Sequence, residues 1–132
     1  MTRNLSFVLL LSVWALGGVN AEEPKCDDLP RVCLAKEHEK ELMRLNAELS
    51  GLMKQAMHRF EESTGEYPDV VKEWKKRLRG TQAAWIKYRI ARCEEQFWAD
   101  SPGTGAGAMG DTCLIRLTRE RIRDLRESYL EE

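Results

Sequence analysis

Two runs decide the fold: Thr81-Gln-Ala-Ala-Trp-Ile-Lys-Tyr-Arg-Ile-Ala-Arg-Cys93 and, after a glycine-rich break, Cys113-Leu-Ile-Arg-Leu-Thr-Arg-Glu-Arg-Ile-Arg-Asp-Leu125. At helical spacing Trp85, Arg89, Cys93 and Phe97 fall four apart and share one face, which mixes apolar bulk, a cation and a thiol. The stripe extends backwards through Val71, Trp74, Leu78 and Gln82, so the spacing predicts one long helix over residues 68–98. Pro68 suits its first turn, Asp69 and Glu73 complement its dipole, and Gly80 marks a kink or a close helix contact at a cost of about 1 kcal/mol relative to alanine. The second run carries Leu114, Leu117, Ile122, Leu125 and Tyr129 on a third helix, with Asp111 as its expected N-cap. Its arginines alternate with Glu120, Asp124 and Glu127, the pattern of a salt-bridged surface.

Upstream, Leu34, Leu42, Leu45, Leu49, Leu52, Ala56 and Phe60 mark an earlier amphipathic helix, which should end near Glu62 before Ser63-Thr64-Gly65. Met43, Met53 and Met57 widen its stripe and read as core filler more readily than as a binding groove. No strand-like alternation of useful length occurs. The fold class is all-α: a small three-helix domain whose last two helices form a disulfide-closed hairpin.

The 132-residue chain begins with Arg3, an apolar run from Leu5 to Leu16, and small residues up to Ala21. This is the layout of a secretory signal peptide, and the run is shorter than the roughly 20 residues a membrane span needs. Residues 1–21 are expected to be removed, leaving 22–132 as a single domain in the periplasm or outside the cell, with no stable membrane insertion. The net charge is −1, and losing Arg3 makes it −2. That balance points away from nucleic acid, and the basic run Lys72, Lys75, Lys76, Arg77 and Arg79 reads as a solvated face.

Cys26, Cys33, Cys93 and Cys113 all follow the leader, an even number that suits two disulfides in an exported domain. Of the three pairings, Cys26 with Cys33 and Cys93 with Cys113 each bracket a short segment rich in Asp, Pro or Gly, and these are favoured. A bond from Cys26 to Cys93 or Cys113 would instead fold the N-terminal lead onto the hairpin. With Cys93 tied to Cys113, each step back along one helix matches a step forward along the other. Arg89 then faces Leu117 and Thr118, and Trp85 faces Arg121 and Ile122. The expectations are a hydrogen bond from Arg89 to Thr118 or a nearby carboxylate, and stacking of Arg121 on Trp85.

No catalytic set or cofactor motif stands out. His38-Glu39 opens like a zinc-protease helix, but Leu42 occupies the second histidine position; His38 and His58 are far apart, and there is no Cys-x-x-Cys. Ser101 to Gly110 lacks the Gly-Lys-Ser/Thr and the preceding strand of a phosphate loop. As the exposed tip of a helical hairpin it is a candidate partner contact, through Gly103, Thr104, Gly105 and Gly107. The acidic edge of the first helix, led by Glu37 and Glu41, is a second.

The set Gln82-x-x-Trp85-x-x-Tyr88-Arg89, Cys93, a Gly-containing gap, Cys113-Leu114 and Thr118-x-x-Arg121-x-x-x-Leu125 resembles the lysozyme-inhibitor LprI-like N-terminal domain family. The likeness is clearest over residues 81–126. It implies an exported bacterial helical protein that binds and inhibits a lysozyme; with no catalytic set in view, the chain is not expected to be an enzyme. The alternative is a periplasmic structural or adaptor module that docks on another protein or on a second copy of itself. On either reading Gln82, Trp85, Arg89, Thr118, Arg121 and Leu125 are structural residues of the hairpin.

Overall fold

The computed structural model describes residues 30–101 and 106–131, and contains three helices: α1 (Pro30–Thr64), α2 (Pro68–Asp100) and α3 (Ala106–Tyr129). The proposed signal peptide, Cys26, Gly103, Thr104 and Gly105 lie outside the described residues. No helix among the described residues is long and apolar enough to cross a membrane.

α3 is the central element. It packs along both α1 and α2, which touch each other far less. Contacts advance together along α1 and α3, from His38 and Asp111 through Glu41 and Arg119 to Glu48 and Arg126, so these helices are parallel. α2 runs antiparallel to α3, as the Cys93–Cys113 bond, the Arg89–Thr118 bond and the Trp74–Tyr129 ring contact show in succession. The core is the meeting of three stripes: Leu45, Leu49, Leu52, Met53 and Ala56 from α1, Leu78 from α2, and Ile115, Ile122 and Leu125 from α3. Ile115 is a core residue that the third-helix pattern omits.

Both ends of the bundle are fixed chemically. At one, Phe60 stacks on Trp74 with ring centroids 4.1 Å apart, Trp74 meets Tyr129 edge-on, and Arg59 donates to the Leu130 carbonyl at 2.6 Å. The α1–α2 turn beside them needs Gly65, because a Cβ there would sit 2.9 Å from the Glu61 carbonyl oxygen. At the other end the Cys93–Cys113 disulfide joins α2 to α3 with Cα atoms 5.6 Å apart. Cys33 is also disulfide-bonded.

Four expectations need correction. α1 runs to Thr64, two residues past the expected end. Its inward stripe starts at the half-buried Leu42 rather than at Leu34, which is exposed, and Met43 is exposed as well while Met53 is buried. α2 continues unbroken through Gly80, where an added Cβ would meet nothing within 4 Å, so no close helix contact explains that glycine. α3 begins at Ala106, inside the Gly/Ala run, and Asp111 is a helical residue facing His38 across 3.9 Å rather than an N-cap. The reason lies in symmetry about the disulfide: α2 extends past Cys93 as far as α3 extends ahead of Cys113. Tertiary pairing of this kind outweighs the poor propensity of Gly107 and Gly110.

Candidate functional site

Gln82, Trp85, Arg89 and Cys93 line the inner face of α2, the helical spacing carrying each to the seam with α3. There the Arg89 Nη1 donates to the Thr118 Oγ1 at 2.7 Å and to the Asn46 Oδ1 of α1 at 3.0 Å, so one guanidinium ties all three helices. Thr118 is 0 % exposed and passes its own proton to the Leu114 carbonyl at 2.7 Å. The guanidinium carbon of Arg89 also lies 4.9 Å from the centre of the Trp85 ring. The cation on Trp85 is therefore Arg89, one helical turn away on the same helix, and not Arg121. Arg121 instead donates to the Gln82 Oε1 at 3.2 Å and pairs with Asp124. Its own-helix carboxylate holds it, and Arg89 already covers the ring.

Arg89 has no carboxylate partner among the described residues, and its buried Nε has no hydrogen-bond partner. Burial lowers the pKa of the guanidinium, the sign of a charge compensated only by neutral dipoles and a ring face. Replacing Thr118 with valine keeps the volume but removes a hydrogen bond to a charged group. We expect a loss of about 1–3 kcal/mol in urea unfolding. An unchanged midpoint would show that Asn46 and Trp85 suffice to hold the guanidinium.

The same arginine opens onto a groove of about 410 Å³ between α1 and α2. Both of these helices pack on α3 far more than on each other, which leaves the depression between them. Its apolar lining comes from Leu49, Met53, Met57, Trp85 and Ile86, its neutral polar lining from Asn46, Ser50 and Gln82. Every charged residue that lines it is a cation: Lys54, Arg79 and Arg89. Arg79 contacts the Met57 sulfur at 3.5 Å, and neither it nor Lys54 has a carboxylate partner among the described residues.

A family model described as lysozyme inhibitor LprI matches residues 26–125, which spans nearly all of the three-helix bundle. The chain belongs to the lysozyme inhibitor LprI family. No curated protein and no solved structure is a significant match. In this LprI chain the residues quoted for the resemblance divide by position. Gln82, Trp85, Arg89, Thr118, Arg121 and Leu125 build the α2–α3 seam, whereas Tyr88 is 55 % exposed on the outer side of α2. Gln82, Trp85 and Arg89 also line the groove, so three residues read from the sequence as interior fittings reach a surface depression.

The acidic edge has a structural task. The Glu41 carboxylate accepts two hydrogen bonds from Arg44 and one from Arg119, each at 2.8 Å, and Glu48 joins Arg44 and Arg126 in the same network between α1 and α3. Glu37, by contrast, is exposed, and its ion pair among the described residues is with Lys40 of its own helix, at 3.4 Å. Gly107 is helical and exposed in the first turn of α3.

The Arg44 hydrogen bonds first, and Arg119 next, draw the Glu41 pKa from 4.5 down to about 2. A carboxyl whose folded pKa lies below its unfolded value adds stability above the unfolded pKa and loses it as pH falls through the folded one. The stability difference between the natural protein and Glu41→Gln should thus be constant above pH 4.5 and vanish near pH 2. Urea midpoints at a series of pH values check this, and added salt should shrink the difference because these groups are solvent-accessible.

Sequence reasoning missed Asn46, Lys54 and Arg79. A signal for the cations was present: neither Lys54 nor Arg79 has an acidic residue three or four positions away on its own helix, and the same holds for Arg89.

Proposed function

We propose that this chain is an exported protein, free of the membrane after its leader is removed, that binds a lysozyme and inhibits it without enzymatic activity of its own. The observation that carries this reading is the LprI family match over residues 26–125. A rigid, disulfide-closed bundle suits the task, since a preorganised surface loses little conformational entropy on binding. A lysozyme brings two cleft carboxylates to a bound sugar chain, and a protein seated across that cleft denies the chain access. Contact through Glu37, Gly107 and the neighbouring turn residues belongs to this proposal.

The test is a titration of the oxidised mature chain against several lysozyme types while cell-wall lysis is followed. Inhibition at or below micromolar protein is the expected result. Its absence for every type supports the second reading, a periplasmic adaptor that docks on another protein or on its own copy. That reading is favoured by one observation: Trp98 is 71 % exposed, and a large aromatic side chain in such a position is common at protein interfaces.

A further inference from the structure

We infer that the α1–α2 groove is a docking surface for a convex, carboxylate-presenting segment of a protein partner. Joined to the reading above, on which its lysozyme form rests, the segment is an acidic stretch on the rim of the enzyme's substrate cleft. A concave groove takes a protruding segment, so the contact is with the rim and not with the catalytic carboxylates inside.

Charge is the first argument. Arg116, Arg119, Arg121, Arg123 and Arg126 of α3 each pair with a carboxylate. Against that habit, Lys54, Arg79 and Arg89 gather on one depression with no acidic residue in its lining. Three like charges placed together cost free energy unless an anion joins them. In Arg89 the Nε–H is buried without a partner, so its positive field is only partly answered by Asn46, Thr118 and Trp85.

The lining then selects the class of anion. Leu49, Met53, Met57 and Ile86 offer aliphatic and thioether surface, which adapts to the side chains flanking an acid in a peptide segment. A sugar ring would need a bare aromatic face, but the Arg89 guanidinium lies over one face of the Trp85 ring, which also packs against both buried clusters. The volume of about 410 Å³ holds a few side chains, not a separate domain.

Lys54→Glu with Arg79→Glu reverses the field while breaking no ion pair among the described residues. Lys72→Glu with Lys87→Glu, two exposed cations outside the groove lining, makes the same change of four charge units and is the control for net charge. Circular dichroism and thermal unfolding confirm that both variants fold. Two probes are applied to each by calorimetry at 150 mM and 500 mM salt: the lysozyme most strongly inhibited in the titration, and a peptide of alternating glutamate and leucine. The inference stands if either probe binds the natural protein and loses at least tenfold in affinity in the groove double variant but under threefold in the charge-matched control. It is overturned if neither probe does so, including the case in which only a soluble muropeptide or a fatty acid shows that dependence. Undiminished lysozyme inhibition by the groove double variant, with no peptide effect, rejects the groove and keeps the inhibitor. Groove-dependent peptide binding without any lysozyme inhibition rejects the inhibitor and keeps the groove.

Discussion

Replacing Cys93 and Cys113 together with alanine is expected to destabilise the domain by about 3 kcal/mol and to lower Tm by roughly 10–20 °C. The bridge spans a sequence separation of 20, and removing it frees the unfolded chain to open that loop. Both sulfurs are buried beside Leu117, so the variant also loses apolar contacts at the seam; alanine avoids the unsatisfied hydroxyls that serine would leave there. Mutation is preferable to reduction because Cys33 is disulfide-bonded too, and a reductant would act on both bridges. Hydrogen exchange gives the spatial prediction: amides of α2 after Arg89 and of α3 before Thr118 should lose protection first. Those around Leu45 to Ala56 should follow global unfolding. A Tm shift below about 3 °C would mean that helix pairing, not the bridge, confines the hairpin.

Much of this hairpin was legible because its determinants are local and periodic. The stripe from Val71 to Phe97 is a single run at helical spacing, and its members do turn to the interior, Val71, Leu78 and Cys93 fully and the rest in part. Antiparallel geometry follows once Cys93 and Cys113 are joined, which places Arg89 against Thr118 as observed at 2.7 Å. The error over Trp85 has a physical cause. Opposition across a seam states which residues are near, but a long cation chooses among several partners, and Arg121 has Asp124 on its own helix while Arg89 has no acid within reach on its own. Lys54 and Arg79 lack a local partner too, but so do Lys75 and Arg119, which find carboxylates on another helix, so the groove depends on how the helices pack and not on that lack alone. No pattern within one helix encodes that packing.

The start of α3 was hidden for the opposite reason. Local chemistry in Ala106 to Gly110 argues against a helix, and Asp111 is a good cap by residue type. What overrides it is a neighbour: α2 continues beyond Cys93, and Gly110 lies beside Phe97, whose Cδ2 would be 3.9 Å from an added Cβ. Of the residues expected at the tip, Gly107 is held in a helix and remains exposed.

Leu125→Ala is the other large expected effect, about 2–5 kcal/mol in urea unfolding. Leu125 is 0 % exposed and sits in the cluster that joins Leu45, Leu49 and Leu52 of α1 to Leu78 of α2. Its position on α3 matters more than its size. Since α1 and α2 touch little, a cavity on α3 takes contacts from both interfaces at once, and neither outer helix can move in to fill it without leaving the other. The cost should therefore fall in the upper part of that range, and Leu114→Ala, at a half-buried site packed only against the disulfide cluster, should cost clearly less. The groove supplies the second readout. If α3 is the wedge that holds α1 and α2 apart, Leu125→Ala should also weaken groove-dependent binding, whereas Leu114→Ala should leave it unchanged. Equal losses in both variants would show instead that α1 and α2 hold their spacing through the Phe60–Trp74 stack and the turn at Gly65 alone.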